Sequence, residues 1–273
     1  MGRRNKSDDD VGGVMPRTAP KQKAQKPSIA LTPDEIAFVR AMVIHEDDQV
    51  IALNKPAGLS SQGGRIAAHT LDDLLWAFAK SSGNHPRLVH RLDRDTSGVI
   101  LTARTKPAAG FLGKALMSKR FRKTYLAIVA PGAPEPKGGV IDAPLRREMQ
   151  GREAYMRVCA PDHPDAETAV TRYRTLAATP EAALVELNPE TGRMHQLRVH
   201  LASIGRPIAG DVRYGGALTL GGHAVPRLML HAAALSFPHP DGETKRVEAP
   251  LPEDMRALAK SLELMGTSQR DGA

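Results

Sequence analysis

The sequence predicts a single mixed α+β domain with a mainly antiparallel sheet. Three observations lead to this fold class. Strand candidates follow one another through the second half, helical periodicity is confined to a few short segments, and no segment repeats at a fixed period. Strands that follow one another directly favour antiparallel pairing. A hydrophobic fraction of 41% and a charged fraction of 25% are ordinary for a globular protein.

In the first half, two apolar runs and three helical patterns predict the elements. "QVIALN" (49–54) and "GVILTAR" (98–104) are typical of buried strands, and "LTPDEIAFVRAM" (31–42) of a short helix. Thr70 and Asp73 form a capping box that begins a second helix. Pro107 begins a third, which ends near Arg120.

In the second half, the patterns are mostly those of strands. The strand candidates are "KTYLAIVA" (123–130), "AYMRVCA" (154–160), "TAVTRYRTLA" (168–177), "AALVELN" (182–188) and "LMLHAAALSF" (228–237). A helix is predicted for "MHQLRVHLASI" (194–204), which Gly205 ends, and another begins at Pro252. The predicted buried stripes are Met194, Leu197, Leu201 and Ile204 on the first of these helices, and Met255, Leu258 and Leu262 on the second.

The chain divides into a basic arm (1–30), a folded domain (31–267) and a tail (268–273). The arm has almost no periodic apolar residues and is expected to be disordered. It carries seven Lys and Arg against three Asp, a net +4, which is half of the chain's +8. Such an arm can bind phosphates without sequence preference, or it can be a solvated tail with no partner.

Composition narrows the classes of protein. Cys159 is the only cysteine, so no disulfide forms within the chain and a reducing compartment is expected. No apolar run reaches the roughly 18 residues of a membrane span, and no secretory segment follows the start. We therefore expect a cytoplasmic protein without a membrane partner. The net charge of +8 and the pI near 9.7 favour a polyanionic partner, typically nucleic acid.

One stretch, "LVHRLDRDTSGVILTAR" (88–104), places a carboxylate between two arginines directly before a buried strand. Asp93 lies between Arg91 and Arg94. Neighbouring cations favour the charged form of a carboxyl group, so the pKa of Asp93 is expected to fall. An ionised carboxylate suits a nucleophile better than a general acid. The alternative is a structural salt bridge.

A second polar cluster lies between residues 188 and 211. It comprises Arg193, His195, Gln196, Arg198 and His200, around the start of the predicted helix. Arg198 borders the predicted buried stripe and is expected to point into a cleft. For His195, Gln196 and His200 the alternative is a solvated basic face. No metal site is predicted, because the two histidines are five residues apart and no other ligand completes a set.

Four segments in order resemble the RluA family of RNA pseudouridine synthases. "HRLDRDTSGVIL" is similar to the family's signature, and "NKPAGLSSQGG" (54–64) to its opening strand and loop. "KTYLAIVAPG" (123–132) carries the Lys-x-Tyr element, and "TGRMHQLRVHLASIGRPIAGDVRYG" (191–215) is similar to the third motif. Many relatives carry an N-terminal S4 RNA-binding module, and no S4 pattern is visible here.

The resemblance implies a fold, a site and a reaction. The fold is a mixed, mainly antiparallel bent sheet with flanking helices around a basic cleft. Asp93 matches the catalytic aspartate, Tyr125 the tyrosine that packs on the target base, and Arg198 the arginine that pairs with the catalytic carboxylate. Arg91 matches the arginine that fills the space left by the flipped base. The other residues expected to bind RNA are His90, Lys123, Arg193, His195 and Gln196. No cofactor and no metal are implied.

The expected activity is isomerisation of uridine to pseudouridine in structured RNA by a monomeric enzyme. Ribosomal RNA is expected ahead of transfer RNA, because the basic arm suits a large RNA. One alternative is a non-catalytic RNA-binding protein on the same scaffold. Another is a glycoside hydrolase that uses Asp93 with a second carboxylate. The arginines beside Asp93 and an aromatic content of 4% disfavour the hydrolase.

Overall fold

The computed structural model describes residues 29–63, 69–81 and 83–265. The predicted tail, and all of the predicted arm except its last two residues, lie outside the described residues. The two boundaries at 30 and 267 therefore stay predictions.

The described residues form five α-helices and fourteen strands. The helices are α1 (Pro33–Ala41), α2 (Leu71–Leu74, followed by a 3₁₀ turn Leu75–Phe78), α3 (Lys106–Met117), α4 (Gln196–Ser203) and α5 (Glu253–Ser261). The strands are β1 (Val43–Glu46), β2 (Val50–Lys55), β3 (Arg87–Leu88), β4 (Ser97–Ala103), β5 (Arg122–Val129), β6 (Gly138–Asp142), β7 (Leu145–Gln150), β8 (Glu153–Val158), β9 (Val170–Ala178), β10 (Ala183–Pro189), β11 (Thr219–Leu220), β12 (His223–Ala224), β13 (Leu230–Pro238) and β14 (Thr244–Glu248). None of these helices has the length and apolar composition needed to cross a bilayer.

Ten of these strands build one sheet. Its order is β1-β2-β4-β13-β5-β10-β9-β6, with β3 added to β4 and β14 added to β13. Within the described part of the chain, β13 runs parallel to β4 and the other pairs are antiparallel. The prediction of a mixed, mainly antiparallel α+β fold is confirmed.

Alternation along the central strands places apolar side chains on both faces of the sheet. On β4, Ile100 packs into the larger core cluster with α1, α2 and α5, whereas Val99 and Leu101 pack with α3 on the other face. On β2, Ile51 and Leu53 likewise share the side of Ile100. Because both faces are covered, loops at the ends of these strands rest on a buried, close-packed base.

Helix α4 differs from its predicted form. It begins at Gln196, because His195 has a φ of 54° and turns the chain out of the right-handed helical region. Met194 and Ile204, two residues of the predicted stripe, are 38% and 37% exposed. The buried residues instead run without a break from Gln196 to Leu201, so the first six residues of this helix are covered on all sides. The predicted end at Gly205 is confirmed by its φ of 70°.

Gly98 allows the parallel contact between β4 and β13. Its φ is 113°, and a Cβ atom there would lie 2.2 Å from the carbonyl oxygen of Ala232. That distance is far below van der Waals contact, so only glycine permits the two backbones to approach this closely. Ser97 adds a 3.0 Å hydrogen bond to His231 in the same register. The strand that follows Asp93 is thereby fixed to a strand near the C-terminal end.

We expect Gly98→Ala to lower the free energy of unfolding by at least about 2 kcal/mol, because both the φ and the clash oppose it. Gly110→Ala is the matched control. Gly110 lies in α3, and a Cβ atom there would meet no other atom within 4 Å, so the change should stabilise by about 0.5–1 kcal/mol. Urea unfolding of both variants measures this, and a neutral Gly98→Ala would contradict the account of the β4–β13 contact.

Candidate active site

A cleft lies where the loop before β4, the strand β5 and the start of α4 meet. It spans about 540 Å³ of space between atoms, part of which is open to solvent. Its lining residues are Arg91, Leu92, Asp93, Thr96, Lys123, Tyr125, Pro189, Thr191, Gly192, Arg193, His195, Gln196, Leu197, Arg198 and Leu230. The stretch around Asp93, the Lys-x-Tyr element and the polar cluster at α4 therefore converge on one site.

The loop that carries Asp93 is held on both sides of that residue. The Ser61 hydroxyl donates to the carbonyl of Leu92 at 2.7 Å and accepts the Leu92 N–H at 3.1 Å. On the other side, Gly58 N–H donates to the Arg94 carbonyl at 2.9 Å, and Arg94 Nε donates to the Gly58 carbonyl at 3.0 Å. The backbone at Asp93 is fixed, while its side chain is left free.

Lys55 reinforces the same contact from inside the protein. Its side chain is fully buried, and its ammonium donates to the carbonyls of Pro56, Leu59 and Arg94 at 2.8 to 3.0 Å. These three acceptors satisfy the three N–H groups of a charged lysine. Burial lowers the pKa of Lys55 to about 8, and the nearby carboxylate of Asp95, followed by that of Asp93, opposes the shift.

Asp93 presents an uncommitted carboxylate to the cleft. It is half-buried, and within the described part of the chain its side chain forms no hydrogen bond or ion pair. Cationic groups line the same cleft, among them Lys123 and Arg198. A carboxylate in this setting can act on an electron-poor carbon without first breaking a salt bridge.

Tyr125 forms an apolar wall of the cleft. It lies on β5, paired with Leu187 on one side and Ala232 on the other. The residue is 9% exposed. Burial raises the pKa of Tyr125, and the negative charge of Asp93 raises it further. The phenol is therefore neutral across the physiological pH range.

Arg198 reaches the cleft, but its ion pair is with a different carboxylate from the one expected. Its Nε and Nη2 donate to Asp211 at 2.7 and 2.6 Å in a two-pronged pair. Burial opposes the charge of Arg198, yet the Asp211 carboxylate outweighs it and raises the pKa. Asp93 contributes only through the longer-range field. The expectation that Arg198 pairs directly with Asp93 is wrong in this structure.

Burial lowers the pKa of two further basic groups of the cleft. Burial lowers the pKa of Lys123, which lies on β5 two residues before Tyr125. Burial also lowers the pKa of His195, while the carboxylate of Asp93 opposes the shift. The His195 Nδ1 lies 2.8 Å from the Tyr214 hydroxyl.

The remaining residues predicted to bind RNA differ in their exposure and in the partners they already have. Arg91 is exposed at the cleft. Arg193 lines the cleft but pairs with Glu167 at 2.9 Å. Gln196 is 4% exposed, and its amide is committed to four partners: Thr191, Arg193 N–H, the Val170 carbonyl and Thr171. Gln196 therefore fixes the start of α4 to β9 rather than facing solvent.

Two further histidines are held by hydrogen bonds within the protein, His90 partly buried and His200 fully buried. His90 does not line the cleft; its Nε2 accepts the N–H of Leu101 at 3.1 Å, and its Nδ1 is buried without a partner among the described residues. His200 is fully buried and bonds to Thr171 and to the carbonyl of Ala143. The solvated-face alternative is wrong for His200 and Gln196, and His90 lies outside the lining of the cleft.

Four residues that support the site were not predicted from the sequence. Lys55 and Ser61 lie in the first of the four family-like segments, and Asp211 and Tyr214 lie in the last. Their presence inside those segments was the available signal. Nothing in their spacing indicated which group each one would contact.

The family follows from comparison with known proteins. Residues 49–203 match the model of the RNA pseudouridylate synthase family, and the match spans every segment that builds the cleft except the strand β13. The chain belongs to this family and is an RNA pseudouridine synthase, an isomerase that acts on uridine in RNA.

Individual relatives are similar along most of their length. The chain is 39% identical to the ribosomal large subunit pseudouridine synthase C of Yersinia pestis, covering 92% of this chain and 77% of the relative. It is 37% identical to the protein of that name from Escherichia coli K12, covering 90% and 78%. Among solved structures, human RNA pseudouridylate synthase domain containing 4 superimposes with a TM-score of 0.71 at 28% identity, covering 84% of this chain and 97% of that chain.

The buried ring of His90 predicts a loss of stability in acid. Burial, assisted by the charge of Lys123, lowers the pKa of His90 from 6.5 to about 3. Below pH 6.5 the unfolded chain therefore binds a proton that the folded protein does not, and stability falls as pH drops from 6.5 towards 3. Between pH 7.5 and 5.5 this residue should cost about 1.4 kcal/mol.

The measurement is urea unfolding of wild type and His90→Gln at both pH values. The glutamine side chain keeps an acceptor for Leu101 N–H but does not titrate, so the variant should lose about 1.4 kcal/mol less than wild type between them. His223→Gln, at an exposed position of β12, is the control and should follow wild type. Identical pH dependence in all three proteins would contradict the assignment to His90.

Proposed function

We propose that this enzyme converts a uridine of large-subunit ribosomal RNA to pseudouridine, with the Asp93 carboxylate acting on the ribose of the target nucleotide. The observation that carries the proposal is the position of Asp93. Its neighbours in the chain are held by five hydrogen bonds, yet its own carboxylate is free and faces a cleft lined by arginines.

The reaction needs an anionic group at the sugar. The N1–C1′ bond breaks, the uracil turns, and a C5–C1′ bond replaces it. C5 then loses its proton and N1 takes one up, so the product is an isomer of the substrate and no redox partner is required. Asp93 either attacks C1′ and is displaced when C5 bonds, or removes a proton from C2′ and returns it later. Both routes require an ionised carboxylate fixed within contact distance of the ribose.

Arg198 and Tyr125 supply the surroundings of that carboxylate. Uracil departs with a negative charge, which a guanidinium in a partly buried cleft stabilises strongly. The neutral ring of Tyr125 offers a stacking surface for the base, worth roughly 1–3 kcal/mol. A base inside a helix can reach such a cleft only by leaving its stack. Arg91, exposed at the mouth of the cleft, is placed to contact the RNA that remains.

Ribosomal RNA is favoured by the relatives and by charge. The curated relatives reported above are named for the large ribosomal subunit. A net charge of +8, half of it within the first 30 residues, suits a large, densely charged RNA. Transfer RNA is the competing substrate, and the same mapping experiment separates the two.

We expect Asp93→Asn to abolish pseudouridine formation while RNA affinity stays within about threefold, because asparagine keeps the shape but neither attacks nor accepts a proton. Carbodiimide mapping of total RNA is the measurement, in cells lacking the protein and rescued by wild type or by the variant. A site that disappears on deletion and returns only with wild type identifies both the reaction and the substrate.

Asp95→Asn is the matched control, since Asp95 lies two residues away with a side chain 57% exposed and outside the cleft lining. It should restore modification fully. Modification restored by Asp93→Asn would contradict the catalytic role of Asp93. A lost site in transfer RNA alone would contradict the choice of ribosomal RNA.

Tyr125 gives a graded prediction. Tyr125→Phe keeps the ring and should lose only part of the rate, whereas Tyr125→Ala removes the stacking surface and should lose roughly ten- to a hundredfold more. Single-turnover kinetics on an unmodified large-subunit RNA transcript measure both. Tyr173→Phe on β9, whose hydroxyl bonds to the Pro136 carbonyl away from the cleft, should keep the wild-type rate. Equal losses from Phe and Ala at position 125 would exclude a stacking role.

A further inference from the structure

Asp211, the ion-pair partner of Arg198, is a fully buried carboxylate. Its side chain has no solvent exposure, and both of its oxygens are occupied. Oδ2 accepts Arg198 Nε, and Oδ1 accepts Arg198 Nη2 together with the N–H groups of Arg213 and Tyr214 at 3.0 and 3.1 Å. Four hydrogen bonds therefore fix the direction of this carboxylate.

The turn that carries Asp211 is itself tightly closed. The Gly216 N–H donates to the Asp211 carbonyl at 2.8 Å. A Cβ atom at Gly216 would lie 1.9 Å from the Ile208 carbonyl oxygen, so the backbone of the turn packs too closely there for any residue but glycine. A carboxylate on such a turn offers Arg198 a rigid partner rather than an adaptable one.

The ring of Tyr214, on the same turn, lies against the guanidinium. The Arg198 Cζ is 5.0 Å from the centre of the ring, within the range of a cation–π contact. The Tyr214 hydroxyl accepts the Met156 N–H at 3.0 Å and lies 2.8 Å from the His195 ring. Within this turn, Asp211 therefore binds the edge of the Arg198 guanidinium and the ring of Tyr214 lies against its face.

These contacts leave a defined part of Arg198 for the cleft. A guanidinium has five N–H groups, and Asp211 takes one from Nε and one from Nη2. The two N–H groups of Nη1 and the second of Nη2 are not used by Asp211. Arg198 lines the same cleft as Asp93, so these are the groups it can offer to Asp93 or to the substrate.

We propose that Asp211, with the ring of Tyr214, is a positioning residue that holds Arg198 beside Asp93 while preventing it from pairing fully with Asp93. The inference rests on the proposed function of Asp93. The charge of Asp211 balances that of Arg198, so Arg198 does not neutralise Asp93. A carboxylate that is not held in a two-pronged pair with a guanidinium is the better nucleophile.

Asp211→Asn tests this, because it keeps the shape and removes the charge. The freed guanidinium should then pair with Asp93. On an unmodified large-subunit RNA transcript, kcat should fall roughly 10- to 100-fold, while the Kd for RNA stays within about threefold. The acid limb of the kcat/KM profile should move to lower pH, since the field at Asp93 becomes more positive. A purely structural role would not move that limb.

Two comparisons separate positioning from other effects. Added to Arg198→Met, Asp211→Asn should cause no further loss of kcat if it acts through Arg198. Asp254→Asn is the matched control: Asp254 holds Arg227 in the same two-pronged geometry, at 2.6 and 2.7 Å, outside the cleft. It should reduce stability and leave kcat unchanged. Tyr214→Leu, which removes the ring under the guanidinium, should also lower kcat and decides the question if Asp211→Asn does not fold.

Wild-type kcat with an unmoved pH profile in Asp211→Asn would overturn the inference, as would a further loss in the Arg198→Met background. An equal loss of kcat in Asp254→Asn would also overturn it, since loss of any such ion pair would then explain the effect. Wild-type protein that modifies no RNA would contradict the proposed function, and the inference falls with it.

Discussion

The site depends on the hydrogen bonds that join the loop after β2 to the loop before β4. Ser61 and Gly58 hold the residues on either side of Asp93, and the buried ammonium of Lys55 bonds to both loops at once. A buried lysine is tolerated only when all of its donors are satisfied, so losing any one of these hydrogen bonds would leave a buried N–H group without an acceptor. As a result, the backbone at Asp93 is fixed, and the Asp93 carboxylate is not needed to hold the structure together.

The electrostatics of the cleft follow from how its charges are divided. Burial lowers the pKa of Lys123 and of His195, whereas the pKa of Arg198 is raised because Asp211 compensates for its desolvation. The cleft therefore combines a free anion with a cation whose position is set by another group. That separation suits a reaction in which negative charge moves from a carboxylate to a departing base and back.

Much of the fold and part of the site could be predicted from the sequence. Apolar runs and period-two alternation located seven of the fourteen described strands, because buried strand faces need apolar side chains. The family resemblance brought Asp93, Tyr125 and Arg198 to one cleft. It did not reveal that Arg198 pairs with Asp211, since an aspartate thirteen residues away looks like any surface carboxylate until the turn at 211–214 is folded. Nor could it place His90, whose ring bonds to the backbone of a neighbouring strand.

The beginning of α4 was also out of reach of sequence patterns. Helical spacing through Met194 continued without interruption, and only the left-handed backbone at His195 ends it. Gln196 then uses its whole amide to close the gap between α4 and β9. A glutamine among basic residues resembles a surface contact, and its burial arises from partners 25 and 26 residues away.

The parallel contact of β4 with β13 has a consequence for synthesis of the chain. It joins Ser97 and Gly98 to residues more than 130 positions later, and Leu230 of β13 also lines the cleft. Contacts this distant in sequence form late, because a long loop must close first. While the chain emerges from the ribosome, Asp93, Tyr125 and Arg198 are all made before the strand that completes their sheet. A nascent chain that has not yet reached β13 therefore carries Asp93, Tyr125 and Arg198 without the assembled cleft.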